Sequence, residues 1–179
     1  MDDHVLPGDE AYGEQITRGS RKVIDEQTFK QPIRSIGMRA CVVLREDESV
    51  GTAIEAMRKV RVGSVLVTDA GGKLAGIFTE RDALNKLALG ERDPKKTLLR
   101  DVMKAKPETL TPDDEIGYAL RMMSHGGYRR VPLADREGRP VGVISVRDIV
   151  DFIADHFPDQ ILTLPANPRS VIAKTPEGA

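Results

Sequence analysis

Apolar positions along this chain change their spacing several times, and each change marks an element. Cys41-Val42-Val43-Leu44 is a short, mostly β-branched run and predicts a strand. Val50, Ala53, Ile54 and Met57 follow at the i, i+3, i+4, i+7 spacing of one helix face. Val62 to Thr68 predicts a buried strand, Asp69 to Lys73 a glycine-bearing hairpin turn, and Leu74 to Phe78 the returning strand. Ala83, Leu84, Leu87 and Ala88 predict the apolar stripe of a second helix that stops at Gly90. The unit reads strand, helix, strand, strand, helix.

The same order returns 66 positions further on. Thr111-Pro112-Asp113-Asp114 predicts a helix N-cap with proline next and acids in the first turn. Ile116, Ala119, Leu120 and Met123 repeat the first stripe, Tyr128 to Ala134 and Pro140 to Ile144 the strand pair, and Ile149, Val150, Ile153 and Ala154 the last stripe. Residues 40–84 align with 106–150 without a gap, and 11 of those 45 positions are identical. A register held through helices and turns alike marks a duplication, and two copies are too few for a solenoid. The expected fold is α/β (α+β): two intertwined β-α-β-β-α repeats related by pseudo-twofold symmetry. The expected boundaries are an N-terminal extension at 1–30, a first repeat at 31–90, a linker at 91–98, a second repeat at 99–157 and a C-terminal tail at 158–179. The stretches 1–20 and 166–179 lack apolar periodicity and are expected to be mobile.

Composition narrows the function classes. The 27 basic and 28 acidic residues leave a net charge of −1, so no bulk attraction to nucleic acid or to a membrane surface is expected. Cys41 is the only cysteine, which excludes an internal disulfide and a cysteine-rich metal site. His4, His125 and His156 share no ligand spacing, and no metal is expected. No apolar run approaches the roughly 20 residues of a membrane span, and the acidic start argues against a secretory signal. A cytoplasmic protein is expected. Nucleophile elbows and glycine-rich phosphate loops are absent from the sequence, so it does not read as an enzyme.

Two heptapeptides remain, Gly76-Ile77-Phe78-Thr79-Glu80-Arg81-Asp82 and Gly142-Val143-Ile144-Ser145-Val146-Arg147-Asp148. Thr79-x-x-Asp82 and Ser145-x-x-Asp148 have the spacing of a helix capping box, with Asp in place of Glu or Gln. Taken singly, each is a way to start a helix.

The duplicated unit, closed each time by this corner, resembles the CBS domain family in its tandem form, the Bateman module. The likeness covers residues 33–156 or so. Asp101-Val102-Met103 and Tyr128-Arg129-Arg130-Val131-Pro132-Leu133 carry it in the second repeat, whereas the first has Ser35-Ile36-Gly37 and Gly63-Ser64-Val65-Leu66 at those places. The resemblance implies a free-standing regulatory, energy-sensing module that binds AMP, ADP or ATP in clefts between the repeats and requires no cofactor. It also implies a homodimer, with an effector protein as a further partner. The alternatives are a ligand-free dimerisation or protein-interaction scaffold, and a sensor of S-adenosylmethionine or NAD.

For such a ligand, Asp82 and Asp148 are the candidates to accept the adjacent ribose hydroxyls. Thr79 and Ser145 stand where helix N-termini favour a phosphate, and Arg130 adds a guanidinium fork. Tyr128, Val131 and Pro132 complete the candidate set, and Val65, Val131 and Ile144 are expected to flank a planar base. Ser64 occupies the position that Arg130 holds in the second repeat. The two clefts are therefore expected to differ, with phosphate favouring the one that Arg130 lines.

Overall fold

The computed structural model describes residues 26–37, 41–88 and 92–156. The ends expected to be mobile, the helix stop at Gly90 and the tail at 158–179 lie outside these residues. A short α1 (Glu26–Phe29) and a 3-10 turn (Ile33–Ile36) lead to β1 (Val42–Arg45), α2 (Val50–Val60), β2 (Ser64–Thr68) and β3 (Leu74–Thr79). Next comes α3 (Glu80–Ala83), which runs on as a π-helical turn over Leu84–Ala88. The second half holds α4 (Leu99–Val102), β4 (Lys104–Ala105), α5 (Ile116–Gly126), β5 (Arg130–Ala134), β6 (Pro140–Ser145) and α6 (Val146–His156).

The duplication holds at the level of individual backbone pairs. In the hairpin of the first repeat Ser64 faces Thr79 and Val65 faces Phe78, with a bulge between Val67 and Thr68. In the second, Arg130 faces Ser145 and Val131 faces Ile144, with the bulge between Leu133 and Ala134. The parallel pair Leu44–Val67 returns as the single bridge Leu110–Leu133. Both hairpin turns are closed by an aspartate. Asp69 Oδ1 accepts from the N–H groups of Gly71 and Lys73 at 2.8 and 2.9 Å, and Asp135 Oδ1 from those of Glu137 and Arg139 at 3.0 and 2.8 Å. Gly72 and Gly138 take the positive φ of these turns, +77° and +82°.

The two repeats exchange their lead-in segments. The Ile33 N–H donates to Asp114 O at 2.8 Å and the Arg34 N–H to Pro112 O at 3.0 Å. At the equivalent positions the Leu99 N–H donates to Glu48 O at 2.9 Å and the Arg100 N–H to Glu46 O at 3.0 Å. Ile33 is thereby buried with Ala119, Met123, Val131, Leu133, Ile144 and Ile149. Leu99 and Val102 are buried with Val50, Ala53, Met57, Val65, Val67, Phe78 and Leu87. Each core is completed by the other repeat's leader. The exchange also extends the first sheet, because β4 pairs with β3 at Gly76 and Ile77. A methyl group on Gly76 would lie 2.3 Å from the Met103 sulfur and 3.0 Å from the Lys104 carbonyl oxygen. The glycine that opens the corner motif is what lets β4 dock.

Three expectations need correction. The helix expected from Thr111-Pro112-Asp113-Asp114 starts at Ile116 instead, with Glu115 before it. The carbonyls of Pro112 and Asp114 receive the incoming Arg34 and Ile33, so this stretch is a turn, held by Asp114 Oδ2 accepting from the Thr111 N–H and hydroxyl. Leu84 and Val150, assigned to buried stripes, are 65% and 55% exposed. The π-helical turn delivers Leu87 to the first core in place of Leu84, and Ile149 with Ile153 takes the inner face of α6. Val131, Val65 and Ile144 do not flank a cleft. All three are core residues, because alternate strand residues point to opposite faces.

Ile33 and Leu99 are 1% and 0% exposed, so truncating either leaves a cavity in the core of the opposite repeat. Ile33→Ala and Leu99→Ala should each cost about 2–5 kcal/mol in urea unfolding. A cost under about 1 kcal/mol for either would show that the exchanged leaders carry little of the stability.

Candidate functional site

The corner motif folds as a capping box in both repeats. The Thr79 N–H and hydroxyl donate to Asp82 Oδ2 at 3.0 and 2.7 Å, and the Asp82 N–H donates back to Thr79 Oγ1 at 3.3 Å. The Ser145 N–H and hydroxyl donate to Asp148 Oδ2 at 2.7 and 2.5 Å, and the Asp148 N–H returns to Ser145 Oγ at 3.3 Å. Both hydroxyls and both carboxylates are engaged in capping the helix that follows.

Each corner faces the strand start of the other repeat across a cleft. The first cleft has a volume of about 210 Å³. The Thr79–Asp82 corner and Ile77 line one side, and Tyr128, Arg129, Arg130 and Pro132 the other. The second, of about 380 Å³, sets Ser145, Asp148 and Val143 against Arg61, Val62, Gly63 and Ser64. Shifted by 66, ten of the 13 residues lining each cleft map onto the other, so a single design is built twice. Thr79, Asp82, Tyr128 and Pro132 meet in the first cleft, Ser145 and Asp148 in the second, and Arg130 borders both. Val131 borders neither.

The two copies differ in chemistry. Asp82 Oδ1 carries the Lys86 ammonium at 3.2 Å, and that lysine also donates to Val102 O at 2.5 Å. The equivalent of Lys86 is Phe152. Asp148 is also more deeply set, at 6% exposure. Four arginines line the second cleft, Arg61, Arg129, Arg130 and Arg147, against the carboxylates of Glu80 and Asp148. Arg61 terminates α2 in the left-handed region, with φ +57°. The second repeat uses Gly127 for the same turn, with φ +66°. A non-glycine residue there costs about 1–2 kcal/mol, and the result is a guanidinium at the cleft mouth. In the first cleft the Tyr128 ring lies against Gly126, where a methyl group would come within 2.2 Å of the ring carbons. Lys104 Nζ sits 4.1 Å from the ring centroid, and the Tyr128 hydroxyl donates to Glu108 Oε2 at 3.1 Å. In the second cleft, burial pushes the Cys41 thiol up from its ordinary pKa.

Sequence reasoning did not pick out Arg61, Arg147, Glu80, Lys104 or Glu108 as lining residues. A signal for two of them was available: Arg61 and Arg147 lie at the positions equivalent to Gly127 and Arg81, within the repeated blocks. Among the described residues no cluster of histidine, cysteine and acids could hold a metal ion, and no helix is long and apolar enough to cross a membrane.

A family model described as the CBS domain matches residues 33–89 and again 99–155. The chain belongs to the CBS domain family. It is 32% identical over 115 residues to an uncharacterized protein of Methanopyrus kandleri, a match covering 60% of this chain and 59% of that protein. The chain spans about three-fifths of the length of the relatives it matches at this level. Among solved structures, a CBS-domain containing protein of Agrobacterium tumefaciens is 28% identical with a TM-score of 0.60, covering 68% of this chain and 98% of that one. A CBS domain pair solved in complex with 5′-methylthioadenosine and S-adenosyl-L-methionine has the same fold. It shows 23% identity and a TM-score of 0.62 over 69% of this chain and 99% of that one.

The hydrogen bond to Glu108, the largest effect, raises the Tyr128 hydroxyl above its ordinary pKa. Tyrosinate absorbance should therefore show one tyrosine ionising late, and Glu108→Gln should return it to the usual range. An unchanged titration in that variant would remove the Tyr128–Glu108 bond from the description of the first cleft.

Proposed function

We propose that this CBS pair is a regulatory sensor that binds an adenosine-containing nucleotide, AMP, ADP or ATP, in the two clefts between its repeats. The observation that carries this reading is the corner built twice, each copy facing the other repeat's strand start beside a guanidinium cluster. A ribose presents two adjacent hydroxyls, and the carboxylates of Asp82 and Asp148 line the clefts as acceptors. Hydrogen bonds to a charged group contribute about 1.5–3 kcal/mol each. Ser145 opens α6, where helix N–H groups favour phosphate oxygens, and Thr79 plays the matching part at the shorter α3. Ile77 and Pro132 offer a flat apolar wall to a base in the first cleft, and Val143 does so in the second. The complex of a structurally similar CBS pair with two adenosine compounds supports the adenosine class.

On this reading the chain works as a binder in the cytoplasm and passes its occupancy to an effector protein through the shape of a homodimer. Leu84 and Val150 occupy equivalent positions in the two repeats and are both exposed. A self-complementary contact of twofold symmetry would cover them.

In a thermal-shift series with AMP, ATP, adenosine, S-adenosylmethionine and NAD, an adenine nucleotide present at 100 times its Kd should stabilise the chain by about 2.7 kcal/mol. Asp148→Asn should remove most of that shift. If no compound in the series raises the melting temperature, the scaffold reading replaces this one.

Light scattering at micromolar concentration should report twice the monomer mass, and Leu84→Lys combined with Val150→Lys should move it towards the monomer. A monomeric parent protein would remove the dimer from the proposal.

A further inference from the structure

The two clefts share a wall. Glu80, Arg129 and Arg130 line both of them, and every other lining residue belongs to one cleft alone. Two of these charges gather beside Gly63. A methyl group built on that glycine would stand 2.2 Å from one Arg130 Nη, 3.0 Å from its Cζ and 2.6 Å from Glu80 Oε2. The side chain missing at Gly63 leaves room for a guanidinium of one repeat and a carboxylate of the other at one spot.

The main chain under this wall is tied to both corners. The Glu80 N–H donates to Gly63 O at 3.3 Å, and at the equivalent positions the Val146 N–H donates to Arg129 O at 3.1 Å. The fold therefore sets where the wall stands, and only the long ends of its side chains adjust to a ligand. A phosphate alone in either cleft can draw on both guanidiniums through charge-assisted contacts, which are about twice as strong as neutral ones. With both clefts filled, the same two guanidiniums are divided between two phosphates. A nucleoside without phosphate makes no such demand.

We propose that the two clefts are coupled through this shared wall: a phosphate-bearing nucleotide in one weakens the binding of a second in the other. The coupling needs no movement of one repeat against the other, because the groups that carry it line both sites. By linkage it is reciprocal, the same factor acting from either cleft. Occupancy then rises over a wider range of nucleotide concentration than two independent sites would give. The inference rests on the adenosine-nucleotide reading above and adds how its two sites act on each other.

Titration calorimetry on the intact chain with AMP and with adenosine tests it. Asp82→Asn weakens the first cleft and Asp148→Asn the second, so each variant reports the affinity of the cleft left intact. Asn keeps an oxygen for the Thr79 and Ser145 N–H groups, so both helix starts survive. The overall constant for two AMP molecules on the parent chain should fall short of the product of these two affinities by about tenfold to a hundredfold. That is the effect of a charge-assisted contact made once instead of twice. Adenosine should show no shortfall. Arg130→Ala, placed in all three chains, should weaken AMP and shrink its shortfall. A parent constant within about twofold of the product would overturn the coupling and leave the nucleotide reading standing. So would an equal shortfall with adenosine, a shortfall unchanged by Arg130→Ala, or AMP binding confined to one of the two Asn variants. Failure of the parent chain to bind either compound would sink both.

Discussion

The reciprocal hydrogen bonds from Ile33 to Asp114 and from Leu99 to Glu48 tie each repeat's leader to the body of the other. Neither core closes on its own sequence. Ile33 supplies a wholly buried side chain to the second core, and Leu99 with Val102 does so for the first. The exchange ties the two bodies together through backbone hydrogen bonds and through both cores. Where the hairpins do meet, the Leu74 N–H donates to Gly138 O at 2.8 Å. The equivalent bond from the second repeat cannot form, because Pro140 has no N–H.

That fixed relation is what makes the clefts. A strand-to-helix corner alone is a capping box and has nothing to face. Once the leaders cross, the corner of one repeat is held against the strand start of the other, and this happens twice because the exchange is symmetric. The glycine of the corner serves the same arrangement from behind. Gly76 admits Met103 and Lys104 at a distance no side chain would allow, and Lys104 then reaches the first cleft through its contact with Tyr128. Leader, sheet edge and cleft wall are consecutive parts of one stretch of chain.

The sequence showed most of this frame because the frame is made of local signals. Hairpin residues Asp69, Gly72, Asp135 and Gly138 act through their own backbone neighbourhoods, and the 66-residue offset predicts their pairing residue by residue. Period-3.6 stripes found the buried faces of α2 and α5 correctly. What was not legible depended on partners far along the chain. Pro112 and Asp114 read as a helix start until Ile33 and Arg34 claim their carbonyls. Val131 read as a ligand contact, although strand parity and the arriving Ile33 place it in the core. The π-helical turn after α3 shifts the inner position from Leu84 to Leu87, and no spacing rule on the sequence distinguishes that turn from an ordinary one. Arg130 was picked out as a cation, but its seat over Gly63 depends on a residue that is notable only for having no side chain.

Comparison of the two repeats with each other carries the argument one step further. Arg81 and Asp82 recur as Arg147 and Asp148, and Thr79 recurs as Ser145. The corner is kept. The strand starts that face these corners share nothing: Arg61-Val62-Gly63-Ser64 in one repeat stands against Gly127-Tyr128-Arg129-Arg130 in the other. Yet the backbones that carry them pair in the same register, Ser64 with Thr79 and Arg130 with Ser145. A scaffold requirement would constrain these positions equally, because the scaffold is the same. Their divergence in charge and size gives two clefts built on one backbone register different linings. Arg61 makes the point most directly. It occupies a left-handed turn that its counterpart fills with glycine, and the strain there places one more cation beside the second cleft.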